Sequence, residues 1–377
     1  MTQAVETVPS PSEVRHYAGE VKPFPTGRIT YLAPKPLPTG ALPVDYCYTV
    51  GAMNDRYLEF GGGKSFAFAW RALLGLPFFG FLFAAVICPF VIALLLYWMG
   101  DSLDEAAHAF WGVSSISFWL GFWGAIVAFL LLTWPRLEMY REVQKMCPMR
   151  FNRQRREVGL VPENEVEPIF VPWEEVEAWA VEAQGVSQYG VRRQYGLGLG
   201  FHHPKTGKRL TLEFETHGLP LALGNWEALR AYMEYEVHTL EEIHPHGELM
   251  TGEDAPKEEG VAFFHAGRRN LHRRRKAGEV GWIYTFFLYL YHVMTFWTIP
   301  NRLVEWENRK LQRLLGQSLP ATMEAWSEPL PEAQWAQPSE TLKRQSAWVR
   351  QQLAAFPDKP VPEIYAELNV QRETLQA

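Results

Sequence analysis

The sequence predicts an α-helical membrane hairpin joined to a cytoplasmic α+β domain, in which antiparallel strands are closed by one helix. Three observations predict it. No charged residue occurs from Ala72 to Gly100 ("ALLGLPFFGFLFAAVICPFVIALLLYWMG"). A second uncharged run, from Ala106 to Pro135, follows after a short acidic gap. Each run exceeds the roughly 20 apolar residues that cross a bilayer. Downstream, apolar residues alternate with a period of two and then change to helical spacing.

Taken in order, residues 1–65 are rich in Pro, Thr and charge and have no apolar signal core, so the segment is expected to be loosely ordered. Residues 66–135 form the two-helix hairpin. Pro77 and Pro89 are placed to bend its first helix, and Gly112, Gly121 and Gly124 to let the second pack closely. Orientation follows from the flanks. The connection carries Asp101, Asp104 and Glu105 and no Lys or Arg. Arg56, Lys64 and Arg71 precede the first span; Arg136, Arg141, Lys145, Arg150, Arg153, Arg155 and Arg156 follow the second. Cations stay on the cytoplasmic side, so both ends of the hairpin are cytoplasmic.

Residues 136–245 read as the α+β domain. "MRFNRQRREVGLV" predicts a hairpin with Phe151 in one strand, a turn near Gln154, and Val158 and Leu160 in the next. Trp173 and Trp179 are expected in the core. Leu197, Leu199 and Phe201 alternate toward the turn "PKTGK", and Leu210, Leu212 and Phe214 alternate back. Then Trp226, Leu229, Met233, Val237 and Leu240 fall at helical spacing behind Asn225, a candidate cap. This element order is like that of pleckstrin-homology barrels, by analogy only.

Residues 246–277 form an acidic and then basic linker. Residues 278–316 hold an aromatic hydrophobic helix and a following one, and 317–377 a helical, Pro-rich tail. Of the twenty uncharged residues from Val280 to Ile299, eight are aromatic, and cations flank both ends. That pattern fits an interfacial or domain-packed helix better than a third crossing, which stays open. The cations before it, Arg268, Arg269, Arg273, Arg274, Arg275 and Lys276, are the candidate contacts for anionic lipid.

Composition narrows the chemistry. Fifteen tryptophans and 14% aromatic residues suit membrane interfaces, and the net charge of -6 argues against nucleic acid as a partner. Cys47, Cys88 and Cys147 have neither disulfide-framework nor metal-ligand spacing. "GGGKS" at 61–65 lacks the upstream Gly of a phosphate loop, where Leu58 stands. "HTLEEIHPHGE" holds His238, Glu241, Glu242, His244 and His246, but no His-Glu-x-x-His. His202 and His203 beside Lys205 and Lys208 read as a solvated turn. No ionisable group sits at the centre of either span, which disfavours ion pumping. No catalytic residue, cofactor or metal is expected.

The order "PMRFNRQRREV", "VPWEEVEAW", "NWEALRAYME" behind a membrane hairpin resembles an uncharacterised family of bacterial inner-membrane proteins encoded beside type VI secretion effectors. The likeness covers roughly residues 66–240 and implies location and neighbourhood, with no active site to carry over. It implies an immunity protein, or less readily an accessory, whose partner is the toxin effector. A membrane-anchored sensor or scaffold that binds lipid headgroups or a peptide is the alternative. The candidate contact is "SQYGVRRQYG", where Tyr189, Arg192, Arg193 and Tyr195 cluster in what reads as an exposed loop between strands.

Overall fold

The computed structural model describes residues 16–61, 64–145, 147–162, 165–187, 190–216, 218–244, 259–317 and 319–376. The strands in chain order are β1 (Val21–Phe24), β2 (Gly27–Ala33), β3 (Val50–Met53), β4 (Tyr57–Phe60), β5 (Met149–Asn152), β6 (Glu157–Leu160), β7 (Ile169–Pro172), β8 (Glu177–Ser187), β9 (Gly190–His202) and β10 (Arg209–Thr216). The helices are α1 (Ala67–Leu82), α2 (Cys88–Trp98), α3 (Leu103–Lys145), α4 (Leu219–Met233), α5 (Leu240–Ile243), α6 (Val261–Lys276), α7 (Trp282–Met294), α8 (Ile299–Gln317), α9 (Ala321–Trp326), α10 (Glu340–Ala355) and α11 (Val361–Gln376). The chain divides into a strand unit (Met1–Gly63, Cys147–Pro245, Leu319–Ala377) and a helical unit (Lys64–Met146, His246–Ser318).

The strand unit is an α+β structure with two antiparallel sheets, ordered β1-β2-β8-β9-β10 and β3-β4-β5-β6-β7. Their inner faces share one core with α4, in which Leu58, Phe151, Trp173, Leu197, Leu199 and Trp226 are fully buried. The expected hairpins form, with Phe151 opposite Val158 and Leu199 opposite Leu212. Tertiary context also explains the "GLGLG" run of β9. Its leucines face the core, while a Cβ at Gly198 would sit 2.1 Å from the indole of Trp179. The Trp179 ring lies against that glycine and joins Ile29, Tyr31 and Val181 in a second small cluster.

Two expectations for this unit are corrected. The N-terminal segment expected to be loosely ordered carries four strands from Val21 to Phe60. These strands are too short to show a clear period, but they add Leu32, Val50, Leu58 and Phe60 to the core and are held by pairing: β2 joins β8, and β4 joins β5. Asn225 is no cap. The α4 helix starts six residues earlier, after Gly218 and with Pro220 in its first turn, where proline's missing N–H costs nothing. Asn225 instead accepts the Tyr46 amide through Oδ1 at 2.7 Å. The C-terminal tail also belongs here, since Leu342, Val349, Ile364 and Tyr365 form a cluster with Ala18 and Leu37.

The β4–β5 pairing has a further consequence. Phe60 is the register partner of Met149, so the first helical excursion begins and ends on two neighbouring strands. The helical unit is therefore an insertion in a β-hairpin, and a second insertion, residues 246–318, completes it.

Within the helical unit, two helices are long and apolar enough to cross a membrane: Ala67–Trp98, of 32 residues, and Leu103–Lys145, of 43. Only 17% and 6% of their apolar windows are buried against protein. The first runs through a π-helical turn, Phe83–Ile87, just before Pro89. Proline cannot donate to the carbonyl four residues back, and the wider turn absorbs that lost bond. Of the three glycines expected to allow close packing, Gly121 does so; its Cβ position lies 2.9 Å from the Ala84 side chain. Gly112 and Gly124 have open space there. Gly121→Leu should therefore wedge the two helices apart and cost about 1–3 kcal/mol, whereas Gly124→Leu should cost far less. Thermal unfolding of the two full-length variants in detergent checks this.

Candidate functional site

The α6–α7 pair is built from two one-sided helices. The last turn of α6 gathers Arg273, Arg274, Arg275 and Lys276, placed where cations favour the negative end of the helix dipole. Gly278, in a left-handed conformation with φ 78°, ends the turn. The α7 helix exposes Trp282, Ile283, Phe286, Phe287, Leu290 and Val293. Their spacing puts them on one face of the helix. The opposite side packs on α6: Tyr289 bonds His272 at 2.9 Å, and Phe264 meets His292 with ring centroids 4.9 Å apart.

Of the six candidate lipid contacts, Arg269, Arg273, Arg275 and Lys276 are exposed. Arg273 also bonds Asn270 Oδ1 at 3.2 Å. Arg274 is partly tied up by Glu279 at 3.2 Å. Arg268 differs, since its guanidinium lies 5.1 Å from the Trp297 ring centre and 5.9 Å from that of Tyr289. The α7 helix has 13 residues, about 20 Å of rise, which is short of the roughly 30 Å hydrocarbon core. Phe296 and Trp297, both with positive φ, turn the chain into α8.

The segment expected to be a contact loop is instead the end of a β-ribbon. Strands β8 and β9 pair from Glu177↔Gly200 out to Ser187↔Gly190. The β2 partner stops at Ala183 and β10 stops at Tyr195, so the last residues stand out as a two-stranded ribbon. Arg193 and Tyr195 line a groove at its base with Pro23, Gly27, Arg28 and Glu182. Tyr189 lies outside the described residues, as does the Arg192 side chain. The glycines that suggested a loop have other roles here, since Gly196 sits within β9 opposite Val181 and Glu215.

The arginines of "RFNRQRREV" are clamps of the strand unit. Arg150 bonds Glu59 and Ser327 and lies 4.1 Å from the Tyr57 ring centre. Arg153 is held between the Tyr232 and Tyr235 rings. It donates to the Asp55 carbonyl at 3.1 Å, the Asp55 carboxylate at 2.8 Å and the Val237 carbonyl at 3.2 Å. Arg156 forms a fork with Glu234 at 2.8 and 3.2 Å. Asn152 Oδ1 accepts the amides of Gln154 and Arg155, which sets the turn.

The helical unit has a polar hub that sequence reasoning missed. The buried Glu307 carboxylate of α8 accepts from Ser65 Oγ, Trp70 Nε1 (2.6 Å), Arg136 (2.7 Å) and Tyr140. Arg136 also lies 4.0 Å from the Trp70 ring centre. Burial would raise the Glu307 pKa, but the bonds from Ser65, Tyr140 and Arg136 outweigh it and hold the carboxyl below its usual range. Nothing local hinted at this, since Glu307 stands beside Glu305 among the cations of α8.

The "HTLEEI" acids and histidines also have structural roles. Thr239 and Glu242 form a reciprocal capping box on α5, and the His244 ring faces Tyr48 at 5.5 Å. His246 lies outside the described residues. Comparison with known proteins finds no matching family model, no matching characterised protein and no matching solved structure.

Proposed function

We propose that this chain is a non-enzymatic protein of the bacterial inner membrane, anchored as a multi-pass hairpin by α1–α2 and α3, with its strand unit cytoplasmic. The observation that carries the anchor is the exposure of two long apolar helices that no core covers. Insertion of the helical unit between paired strands suits a hairpin, because both ends of an even number of crossings return to one side. The two sheets and α4 around one core favour a pleckstrin-homology-like reading of the strand unit. Its function, on this reading, is to bind a protein: it is the immunity protein, or less readily an accessory, of a type VI effector. The support is the residue pattern from 66 to 240 and the protruding β8–β9 ribbon, which offers Arg and Tyr to a partner.

The exposed α6–α7 surface favours a second reading, a membrane-anchored sensor or scaffold that contacts lipid. The short aromatic helix beside exposed cations suits an interfacial position rather than a third crossing.

Topology is tested by thiol labelling in a variant whose Cys47, Cys88 and Cys147 are replaced by Ser. Ser102→Cys, in the turn before α3, should label from outside the cell. Thr206→Cys, in the exposed β9–β10 turn, should label only after permeabilisation. Outside access at Thr206 would overturn the anchor as drawn. Function is tested by survival against sister cells that deliver the effector encoded next to this chain. Cells lacking the protein should die, and full-length protein should rescue them. Arg192→Glu with Arg193→Glu should abolish rescue at unchanged membrane levels. Survival of the deletion strain would sink the immunity reading.

A further inference from the structure

Among the described residues, Arg150, Arg156 and Arg230, all buried, and the partly buried Arg136 have carboxylate partners. Arg71 of α1 and Arg268 of α6 do not. Among the described residues, Arg268 makes only its two ring contacts, and Arg71 makes one long bond, 3.4 Å, to Asn301 Oδ1. Both are half-buried. The Nε atoms of both, and Nδ1 of His292, are buried without a hydrogen-bond partner. Three of the eight such atoms among the described residues thus belong to one cluster.

Ring contacts tie that cluster together. Arg71 lies 5.8 Å from the Tyr291 ring centre, and Tyr291 lies 5.5 Å from His292. Arg268 lies 5.1 Å from Trp297, itself 6.2 Å from His292. His292 does not share the positive charge. Burial first, then Arg71 and Arg268, pull its pKa down to about 4, so the imidazole stays neutral, with a single N–H to donate. Two guanidinium groups without a carboxylate partner, beside a neutral imidazole, make a site that lacks an anion. Beside it, α7 presents its exposed apolar face.

We propose that Arg71 and Arg268 hold the phosphate of an anionic lipid headgroup, with the apolar face of α7 lying along the acyl boundary next to it. This rests on the membrane reading above and adds a specific ligand to it. The ligand chemistry is a phosphate ester. A lipid source is favoured because the site lies between the base of an apolar helix and an aromatic one, where a lipid headgroup and its chains are satisfied together. Each guanidinium offers phosphate oxygens a fork of N–H donors, and a zwitterionic headgroup shields its phosphate with its own ammonium.

Native mass spectrometry of the full-length protein in neutral detergent tests the proposal, with phosphatidylglycerol, phosphatidylcholine and inorganic phosphate as probes. Wild type should retain phosphatidylglycerol roughly tenfold more than phosphatidylcholine, the scale of one charge-assisted bond. Arg71→Gln with Arg268→Gln should erase the preference, while Arg309→Gln with Arg313→Gln, exposed on α8, should keep it. His292→Glu guards against misfolding. Its carboxylate would pair internally with the two guanidinium groups, so the variant should gain thermal stability and still lose the lipid. An unchanged preference in the Arg71/Arg268 variant would overturn the site, as would equal loss in the Arg309/Arg313 variant. Displacement of the lipid by inorganic phosphate would overturn the lipid source in favour of a soluble phosphate. Alkaline extraction of native membranes tests the anchor separately, since lipid preference in detergent is readable whether or not the spans insert.

Discussion

Glu307→Ala is expected to be the most damaging single substitution in the helical unit, at about 3–5 kcal/mol, because it leaves the Arg136 guanidinium without its counter-charge. That is a large share of the roughly 5–15 kcal/mol by which a folded domain exceeds its unfolded state. Ser65, Trp70 and Tyr140 would lose their acceptor in the same step. Thermal unfolding of full-length protein in detergent should show a much lower midpoint. Glu307→Ala combined with Arg136→Met should recover part of the loss, since the orphaned charge is then gone. A midpoint in Glu307→Ala no different from that of an exposed-site control would show that the hub contributes nothing.

The same carboxylate sets an acid limit. Its folded pKa lies below the unfolded value, so the unfolded state binds more protons across the interval between them. The Glu307 contribution is therefore complete above the ordinary glutamate value of about 4.3 and is lost as pH falls through the folded pKa. Wild type should lose midpoint on acidification below that value, and Glu307→Gln, already weakened, should lose less over the same interval.

Arg153→Ala is expected to do comparable harm to the strand unit, at about 1.5–5 kcal/mol. The buried Val237 carbonyl loses its donor, which costs about 1–3 kcal/mol, and the two tyrosine faces lose a cation worth about 0.5–2 kcal/mol. The Asp55 carboxylate is open to solvent, so its ion pair adds little. Arg153→Lys should recover only a part, because an ammonium cannot reach the Asp55 and Val237 oxygens in one forked plane. Denaturant unfolding of the full-length protein, followed by tryptophan fluorescence, measures both. A wild-type midpoint for Arg153→Ala would remove the hub role from this segment.

These hubs mark where reading the sequence stopped. The α+β character, two apolar helices of spanning length and the β9–β10 hairpin were legible, because each is written in residues near one another. Leu197, Leu199 and Phe201 alternate, the turn follows, and Leu210, Leu212 and Phe214 alternate back into register. An unbroken apolar run likewise states its length directly. The candidate contact site was legible only in its residue types. Arg193 and Tyr195 do reach a common groove, but on a paired ribbon that glycines had disguised as a loop.

What the sequence determined by itself is local: strand alternation, helix length and the clustering of cations at a helix end. What only tertiary structure decided is which distant residues meet. Arg153 finds Asp55 from 98 residues away and Arg136 finds Glu307 from 171, and neither pair leaves a periodic trace. The short N-terminal strands find their places because β8 and β5 offer open hydrogen-bonding edges to β2 and β4, and the core takes in Leu32, Val50, Leu58 and Phe60. Hydrophobic periodicity reports how one element meets its own surroundings. Backbone pairing and ion pairing depend on a second element that any stretch of chain could supply, so the partner is chosen by the folded arrangement and not by the residues at either end.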